Sequence, residues 1–183
     1  MNIERPGWDS YYMTIAMAVR TRANCSGNRV GAILVSGTPG QGGGHGGGRV
    51  IATGYNGTPS GMKNCLDGGC PRCNHRELFK SGEGYDLCIC VHAEQNALLA
   101  AARFGIAVEG ATLFTTMRPC FGCAKEALQA QVAEVVYLHD WQHPDARVRE
   151  AYEHLLTYFS RGCRQLTMTD PDEAWAVTTK RAK

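Results

Sequence analysis

A histidine, a glutamate and two cysteines form the most chemically informative pattern in the chain. His92-Ala93-Glu94 is followed further on by Pro119-Cys120-Phe121-Gly122-Cys123. One imidazole and two thiolates suit a tetrahedral zinc ion whose fourth coordination position stays open to water. An open position is typical of a catalytic metal site and not of a structural one, so His92, Cys120 and Cys123 are the predicted zinc ligands.

Glu94 has the position expected of a proton carrier. It stands two residues after His92 near a predicted helix start, so it can face the metal without binding it. Two thiolates offset the charge of the ion, and we therefore expect the metal to acidify its water less than an all-histidine site would. A nearby carboxylate has to help, and Glu94 is the predicted general base.

The combined pattern resembles the signature of the zinc-dependent nucleobase deaminases, which is His-x-Glu followed by Pro-Cys-x-x-Cys. For a cytosine ring, this resemblance implies that hydroxide attacks C4, that Glu94 delivers a proton to N3, and that ammonia leaves. Pro119 fixes φ at the start of a predicted helix and leaves Cys120 at its positive end, which helps to stabilise the thiolate.

Hydrophobic periodicity and turn residues predict the elements that position these groups. The predicted helices cover residues 10–24, 92–104, 119–129 and 145–158. The predicted strands cover residues 30–35, 49–55, 111–116 and 134–138, with a weak last strand at 164–168. This order predicts an α/β fold, a three-layer α/β/α sandwich around a mixed five-stranded sheet, with zinc between the starts of the two central helices.

The length of 183 residues and the 44% hydrophobic content predict one domain. We place this deaminase domain at residues 1–168, with a cysteine-rich insert at 57–91. The tail at 169–183 is expected to be peripheral or frayed. The glycine-rich stretch at 37–48 is predicted to be a flexible loop without a function.

Composition limits the expected partners and location. A net charge of +2 is too small to favour binding of long nucleic acid through its phosphates. The charge is compatible with a small anionic substrate. The first eight residues lack the apolar stretch of a signal peptide, and no apolar run approaches about 18 residues. We therefore expect a soluble, cytoplasmic protein with no membrane partner.

Nine cysteines, an odd count, indicate metal binding more than disulfides in a reducing compartment. Five of them, from Cys65 to Cys90, fall in the aperiodic insert, which needs something other than a core to order it. A structural zinc would supply this, and buried free thiols are the alternative. Cys163 is more simply explained as a small, buried apolar residue than as a metal ligand.

From residue 8 to about residue 141, the chain resembles the deoxycytidylate (dCMP) deaminase family. The matching stretches include Arg-Pro-Gly-Trp at 5–8, Val-Gly-Ala-Ile-Leu-Val at 30–35, Ala-Thr-Gly-Tyr-Asn-Gly at 52–57 and His-Ala-Glu-Gln-Asn-Ala at 92–97. The cysteine-containing run at 64–74 resembles a branch of that family that includes fungal members. The resemblance implies hydrolytic deamination of dCMP to dUMP in pyrimidine deoxynucleotide metabolism.

The same resemblance implies three substrate contacts. Asn56 would contact the nucleotide sugar, although Asn56-Gly57 also suits a simple tight turn. Ala93 would lie at the substrate. Trp141 stands where the family usually has a tyrosine near the pyrimidine. An indole can stack on a ring, but its hydrogen bonding differs from that of a phenol. Whether the site accepts bases with a substituent at C5 is therefore left open.

A second, structural zinc is also implied, because some family members carry one. Its implied ligands are Cys25, Cys65, Cys73 and Cys90, with Cys70, Cys88 and His75 as competitors. The resemblance further implies a homo-oligomer, often a hexamer, and regulation by dCTP and dTTP, with Mg²⁺ accompanying a regulatory nucleotide.

Other functions share part of the pattern. A transfer-RNA adenosine deaminase, or a cytidine or cytosine deaminase, would carry the same zinc motif. A zinc-stabilised binding module is the non-enzymatic alternative. Glu94 argues against that module, because a purely structural metal site has no use for the carboxylate.

Overall fold

The protein is described from a computed structural model that covers residues 5–37, 48–80 and 83–175. Its strands are β1 (Gly31–Ser36), β2 (Arg49–Tyr55), β3 (Thr112–Met117), β4 (Glu134–His139) and β5 (Cys163–Gln165). They form one sheet in the order β2-β1-β3-β4-β5. Strand β1 is antiparallel to both β2 and β3, whereas β3, β4 and β5 are parallel. The predicted mixed sheet of five strands is confirmed.

The helices are α1 (Trp8–Arg20), α2 (Pro71–Asn74), α3 (Ala93–Arg103), α4 (Phe121–Gln129) and α5 (Ala146–Leu156). Short 3₁₀ turns lie at Cys65–Asp67, Arg76–Leu78, Tyr85–Leu87 and Glu173–Trp175. Within the described ranges, none of these helices combines the length and the apolar character that crossing a membrane requires.

Alternation along the central strands divides the apolar side chains between the two faces of the sheet. On one face, Ile33, Phe114 and Val136 pack against Tyr12 and Met13 of α1. On the other face, the neighbouring residues of the same strands pack against α3, α4 and α5; they include Leu34, Leu113 and Val135. Helices therefore cover both faces, and the predicted α/β/α sandwich is confirmed.

Several element boundaries differ from the predictions. Helix α1 begins two residues before the predicted residue 10 and ends at Arg20, because the chain then turns and the Asn24 N–H donates to the carbonyl of Asn56 at 3.2 Å. Helix α5 begins after Asp145, whose carboxylate caps the helix. Strand β5 has only three residues, Cys163–Gln165, and so ends before the predicted residue 168.

The residues that follow β5 pack against the domain. Two oxygens of Asp170 accept hydrogen bonds from Arg20, each at 2.7 Å, and Asp170 Oδ2 lies 2.7 Å from His139 Nε2. The Trp175 ring lies under the guanidinium of Arg29 at 4.8 Å. Residues 170–175 are therefore peripheral but not frayed, because the fully buried charge of Arg20 needs a counter-charge and Asp170 supplies it.

Most of two predicted segments lies outside the residues that the structure describes. Residues 38–47 of the glycine-rich stretch and residues 176–183 of the tail are not among the described residues. The predicted loop character of residues 37–48 and the fraying of the last residues therefore stay predictions.

Candidate active site and cysteine cluster

Two predicted zinc ligands occupy equivalent positions on neighbouring helices. His92 is the N-cap residue of α3, and Cys120 is the N-cap residue of α4. The Gln95 side chain accepts a hydrogen bond from the His92 N–H at 3.0 Å, and the Tyr152 hydroxyl donates to the Pro119 carbonyl. The positive ends of two helix dipoles therefore meet at one place, where they favour bound thiolates.

The three predicted ligand atoms form a compact triangle. His92 Nδ1 lies 3.4 Å from Cys120 Sγ and 3.3 Å from Cys123 Sγ, and the two sulfurs are 3.5 Å apart. With ordinary zinc–sulfur and zinc–nitrogen bond lengths, tetrahedral geometry separates such atoms by about 3.5 to 3.8 Å. The residues present therefore fit a zinc ion, and only small adjustments are needed to bind one.

The imidazole and the thiols of this triangle shift one another's pKa values. Hydrogen bonds from Cys123 and His92 lower the pKa of the Cys120 thiol to about 4. The neighbouring Cys120 sulfur in turn raises the pKa of His92 to about 9. A metal must displace the proton from the imidazole to bind there, so metal affinity will depend on pH.

Glu94 is the second residue of α3, and its side chain is buried within reach of this triangle. Only 4% of Glu94 is exposed, and burial raises the pKa of its carboxyl group. Its Oε1 lies 3.4 Å from Thr115 Oγ1 on β3. The sequence did not single out Thr115, because a threonine in a buried strand carries no separate signal. A buried carboxylate with a raised pKa suits a group that takes and then returns a proton.

The metal-ligand triangle opens onto two adjoining cavities of ≈ 640 and ≈ 530 Å³. His92 and Cys120 line both of them. Glu94, Asn56 and Ala93 line the larger one, which is of the size usual for small-molecule sites. Trp141 borders both cavities and packs edge-on against His143. The structure thus brings the three predicted substrate-contact residues to a cavity that two of the predicted metal ligands also line.

The amide of Asn56 is held in one orientation at the cavity wall. Its Oδ1 accepts from the Val30 N–H at 2.8 Å, and its Nδ2 donates to the Asn28 carbonyl at 2.8 Å. The adjoining Gly57 forms an isolated antiparallel bridge with Val91, which ties this turn to the residue before His92. An amide retains a second lone pair and a second N–H after these bonds, so a sugar contact stays a prediction that the geometry permits.

Several cavity residues were missed by the sequence reasoning. They come from the insert and from the segment after β4, and they are Arg72, Arg76, Lys80, Tyr85 and His143. These segments lack a repeating pattern, so nothing in the sequence showed which side chains face inward. Arg72 is already engaged, since it donates to the Glu83 carbonyl at 2.7 Å and lies over the Tyr85 ring.

Beside the larger cavity, six cysteines pack into a cluster of their own, which we call the cysteine cluster. Its members are Cys25, Cys65, Cys70, Cys73, Cys88 and Cys90. They include all four implied ligands of a second zinc. His75 is not part of it, because its side chain is 57% exposed and faces Glu77 at 3.6 Å. Cys163 lies apart and packs against the main apolar core, where it is partly buried and not fully buried as predicted.

The comparisons with known proteins agree with this geometry. A family profile described as "Cytidine and deoxycytidylate deaminase zinc-binding region" matches residues 6–139, a segment that contains His92, Cys120 and Cys123. The chain belongs to this family. The predicted resemblance is therefore confirmed.

Among individual relatives, the deoxycytidylate deaminase of Schizosaccharomyces pombe is 46% identical over 133 residues, which are 73% of this chain and 37% of that protein. The Saccharomyces cerevisiae deoxycytidylate deaminase is 42% identical over 140 residues, 75% of this chain and 39% of that one. The chain therefore spans about two fifths of the length of these two relatives. The deoxycytidylate deaminase of Mycobacterium phage D29 is 36% identical over 138 residues, covering 74% of this chain and 97% of the phage protein.

A solved structure shows the same fold. It is the dCMP deaminase from the cyanophage S-TIM5 in complex with dCMP and dUMP, with 29% sequence identity and a TM-score of 0.63. The alignment covers 89% of this chain and 99% of the phage chain.

Proposed function

We propose that this chain catalyses the zinc-dependent hydrolysis of dCMP to dUMP and ammonia, a step of pyrimidine deoxynucleotide metabolism. The observation that carries the proposal is the triangle of His92, Cys120 and Cys123 at zinc-ligand spacing, with the buried carboxylate of Glu94 beside it in a cavity. The names of the fungal and phage relatives support the choice of substrate.

The residues of the site have complementary tasks in this reaction. His92, Cys120 and Cys123 would hold the zinc ion, which when bound supplies Lewis acidity for the attacking water. Glu94 accepts a proton from that water and delivers it to N3 of the cytosine ring. The hydroxyl adds to C4, and Glu94 then transfers the proton of this C4 hydroxyl to the amino group. The C4–N bond breaks, ammonia leaves, and C4 keeps its oxygen as the carbonyl of dUMP. Because Glu94 is only 4% exposed, few water molecules can reach its carboxyl group during this proton transfer.

The cavity wall provides groups for the base and the sugar. Trp141 presents an indole that can stack on or border the pyrimidine ring. The second lone pair and the second N–H of the Asn56 amide would contact the sugar. Ala93, the first residue of α3, would contact the substrate through its backbone. The placement of these residues at one cavity and the family resemblance support the proposed contacts.

The larger cavity also has basic side chains for a phosphate, which would favour dCMP over cytidine or cytosine. Arg76 and Lys80 line it. Arg76 Nε has no hydrogen-bond partner within the described part of the chain. Arg118 is a weaker candidate, because it is already paired with Asp140 at 3.2 Å and with Glu153 at 2.6 Å. Arg76 and Lys80 are therefore the proposed phosphate contacts.

Further properties come from the resemblance. We propose that the cysteine cluster holds structural zinc, since its thiols are free and close together and all but Cys88 are buried. Homo-oligomer formation, such as a hexamer, regulation by dCTP and dTTP with Mg²⁺, and a cytoplasmic location stay predictions.

A panel of ammonia-release assays tests the proposed function. The purified full chain is given dCMP, deoxycytidine, cytidine, cytosine and a transfer-RNA stem-loop, each with and without dCTP and dTTP. We expect efficient turnover of dCMP and much weaker turnover of the substrates that lack its phosphate. Preferred release from the stem-loop would favour a transfer-RNA deaminase. No release from any substrate by zinc-loaded protein would favour the binding module.

A further inference from the structure

The cysteine cluster contains two overlapping groups of four thiols. The first is Cys25, Cys65, Cys73 and Cys90, and the second is Cys70, Cys73, Cys88 and Cys90. In each group, all the sulfur atoms lie within 4.8 Å of one another. Cys73 and Cys90 belong to both groups. We propose that the cluster binds two zinc ions at the same time, with the thiolates of Cys73 and Cys90 bridging them.

The sharing of two sulfurs gives each ion a complete coordination shell. A structural zinc takes four ligands in a tetrahedron, and each group supplies four sulfurs. The first ion has Cys25 and Cys65 as terminal ligands, and the second has Cys70 and Cys88. The Cys25–Cys73 and Cys70–Cys88 sulfur distances are both 3.8 Å, close to the edge of about 3.8 Å that tetrahedral zinc–sulfur bonds give.

A single zinc ion would bind only four of the six cysteines of the cluster. Whichever group it occupied, two cysteines of the other group would remain as free thiols against its sulfur ligands. With two ions, all six cysteines are ligands. The proton balance is simple, because each ion displaces protons from neutral thiols and no oxidant is needed.

Backbone donors already face two of the terminal sulfurs. The Ser26 N–H donates to Cys65 Sγ at 3.3 Å, and the Gly27 N–H donates to Cys25 Sγ at 3.3 Å. Hydrogen bonds of this kind stabilise a thiolate, and six thiolates with two zinc ions carry a net charge of −2 that needs such stabilisation.

The cluster substitutes for a hydrophobic core in the insert. The cluster's sulfurs come from the loop after α1, a 3₁₀ turn, α2 and the segment before α3. Apart from the cysteines, Ile89 is the apolar residue that packs against it in the described structure. Cys90 stands two residues before His92, and Cys88 and Cys90 line both cavities. Two bound ions would therefore fix one wall of the catalytic cavity.

This inference depends on the structural zinc proposed above but not on deaminase activity. The first test is the zinc content of the purified full chain, measured by mass spectrometry after removal of loosely bound metal. We expect three zinc ions per chain, one catalytic and two in the cluster. Two ions would leave a single structural zinc and overturn the binuclear cluster, and one ion would overturn both proposals about the cluster.

Paired cysteine variants locate the ions. The double variants Cys25→Ser/Cys65→Ser and Cys70→Ser/Cys88→Ser each remove the terminal ligands of one ion and should retain two zinc ions. Cys163→Ser is the matched control and should retain three. If one of the two double variants kept three ions, the assignment of terminal ligands would be wrong.

A measurement on the unaltered chain keeps the test decisive if the variants do not fold. After substitution with ¹¹³Cd, we expect three cadmium resonances, two of them with mutual ¹¹³Cd–¹¹³Cd coupling through the bridging sulfurs. Fewer than three resonances, or three without this coupling, would contradict the bridged arrangement.

Discussion

His92 and Cys120 stand 28 positions apart in the sequence, yet His92 Nδ1 and Cys120 Sγ are 3.4 Å apart. The sheet makes this possible, because each residue caps a helix that packs on the same face of it. Helix α3 approaches closely at Gly54 of β2, where an added Cβ would lie 2.1 Å from the Ala93 carbonyl. The predicted metal ligands are thus positioned by the packing of helices against the sheet.

Glu94→Gln tests the proton transfer. The amide has the size of the carboxylate but cannot accept the proton, so we expect zinc content to be unchanged and kcat for dCMP to fall by roughly 10²- to 10⁴-fold. Steady-state ammonia release and metal analysis of the same sample measure both quantities. Full activity with normal zinc content would refute the role assigned to Glu94.

Cys120→Ser tests the catalytic metal site. Loss of one thiolate from the three predicted ligands should remove the catalytic zinc, lowering the zinc content by one ion and abolishing deamination. Cys163→Ser, in β5 and away from the metal site, should change neither quantity. A Cys120→Ser variant that deaminates dCMP at the wild-type rate would show that the triangle is not the reaction centre.

Substitutions of Trp141 test the proposed contact with the cytosine base. Stacking between a base and an aromatic side chain contributes about 1–3 kcal/mol by alanine substitution, so Trp141→Ala should weaken dCMP binding by roughly 5- to 150-fold. Trp141→Phe keeps a stacking surface and should retain most of the affinity. Equilibrium binding of dCMP to Glu94→Gln protein carrying each substitution separates binding from turnover. Equal affinity in all three proteins would place the base elsewhere.

Much of the fold followed from local patterns because burial repeats with the period of each element. Strand β2 was predicted with its observed bounds, and the other strands and long helices were predicted within a few residues at most ends. The anchoring of residues 170–175 to the domain was not predicted. Asp170 reaches Arg20 across 150 positions, and no periodicity signals an ion pair between such distant residues.

The residues of the candidate site were also predicted only in part. His92, Glu94, Cys120 and Cys123 were predicted because zinc chemistry restricts both the residue types and their spacing. Tyr85 and Arg76 were not, because they lie in the aperiodic insert, where only the folded chain shows which side chains reach the cavity. The overlap of the two cysteine groups likewise needed coordinates, since spacing does not reveal that Cys73 and Cys90 belong to both.

Asp170→Asn tests the packing of the residues after β5. The side chains of Arg20 and Asp170 are 1% and 2% exposed, so the variant leaves a buried guanidinium without its counter-charge. Removal of one partner of such a pair costs about 3–5 kcal/mol, which urea unfolding at neutral pH would measure. Asp172→Asn is the matched control, because Asp172 is 44% exposed and 4.0 Å from Arg20, and it should change the free energy of unfolding by less than about 0.5 kcal/mol.

The same pair predicts a dependence on pH. Burial alone would raise the pKa of Asp170, but hydrogen bonds from Arg20 and His139 outweigh it and hold the pKa below its usual range. A carboxyl group with a lowered folded-state pKa contributes stability that is complete above its unfolded-state pKa, about 3.9, and is lost as the pH falls through the folded-state value. The difference in unfolding free energy between wild type and Asp170→Asn should therefore be full near neutral pH and shrink below about pH 4. A difference that stayed constant into acid would show that the ion pair does not account for the cost of the substitution.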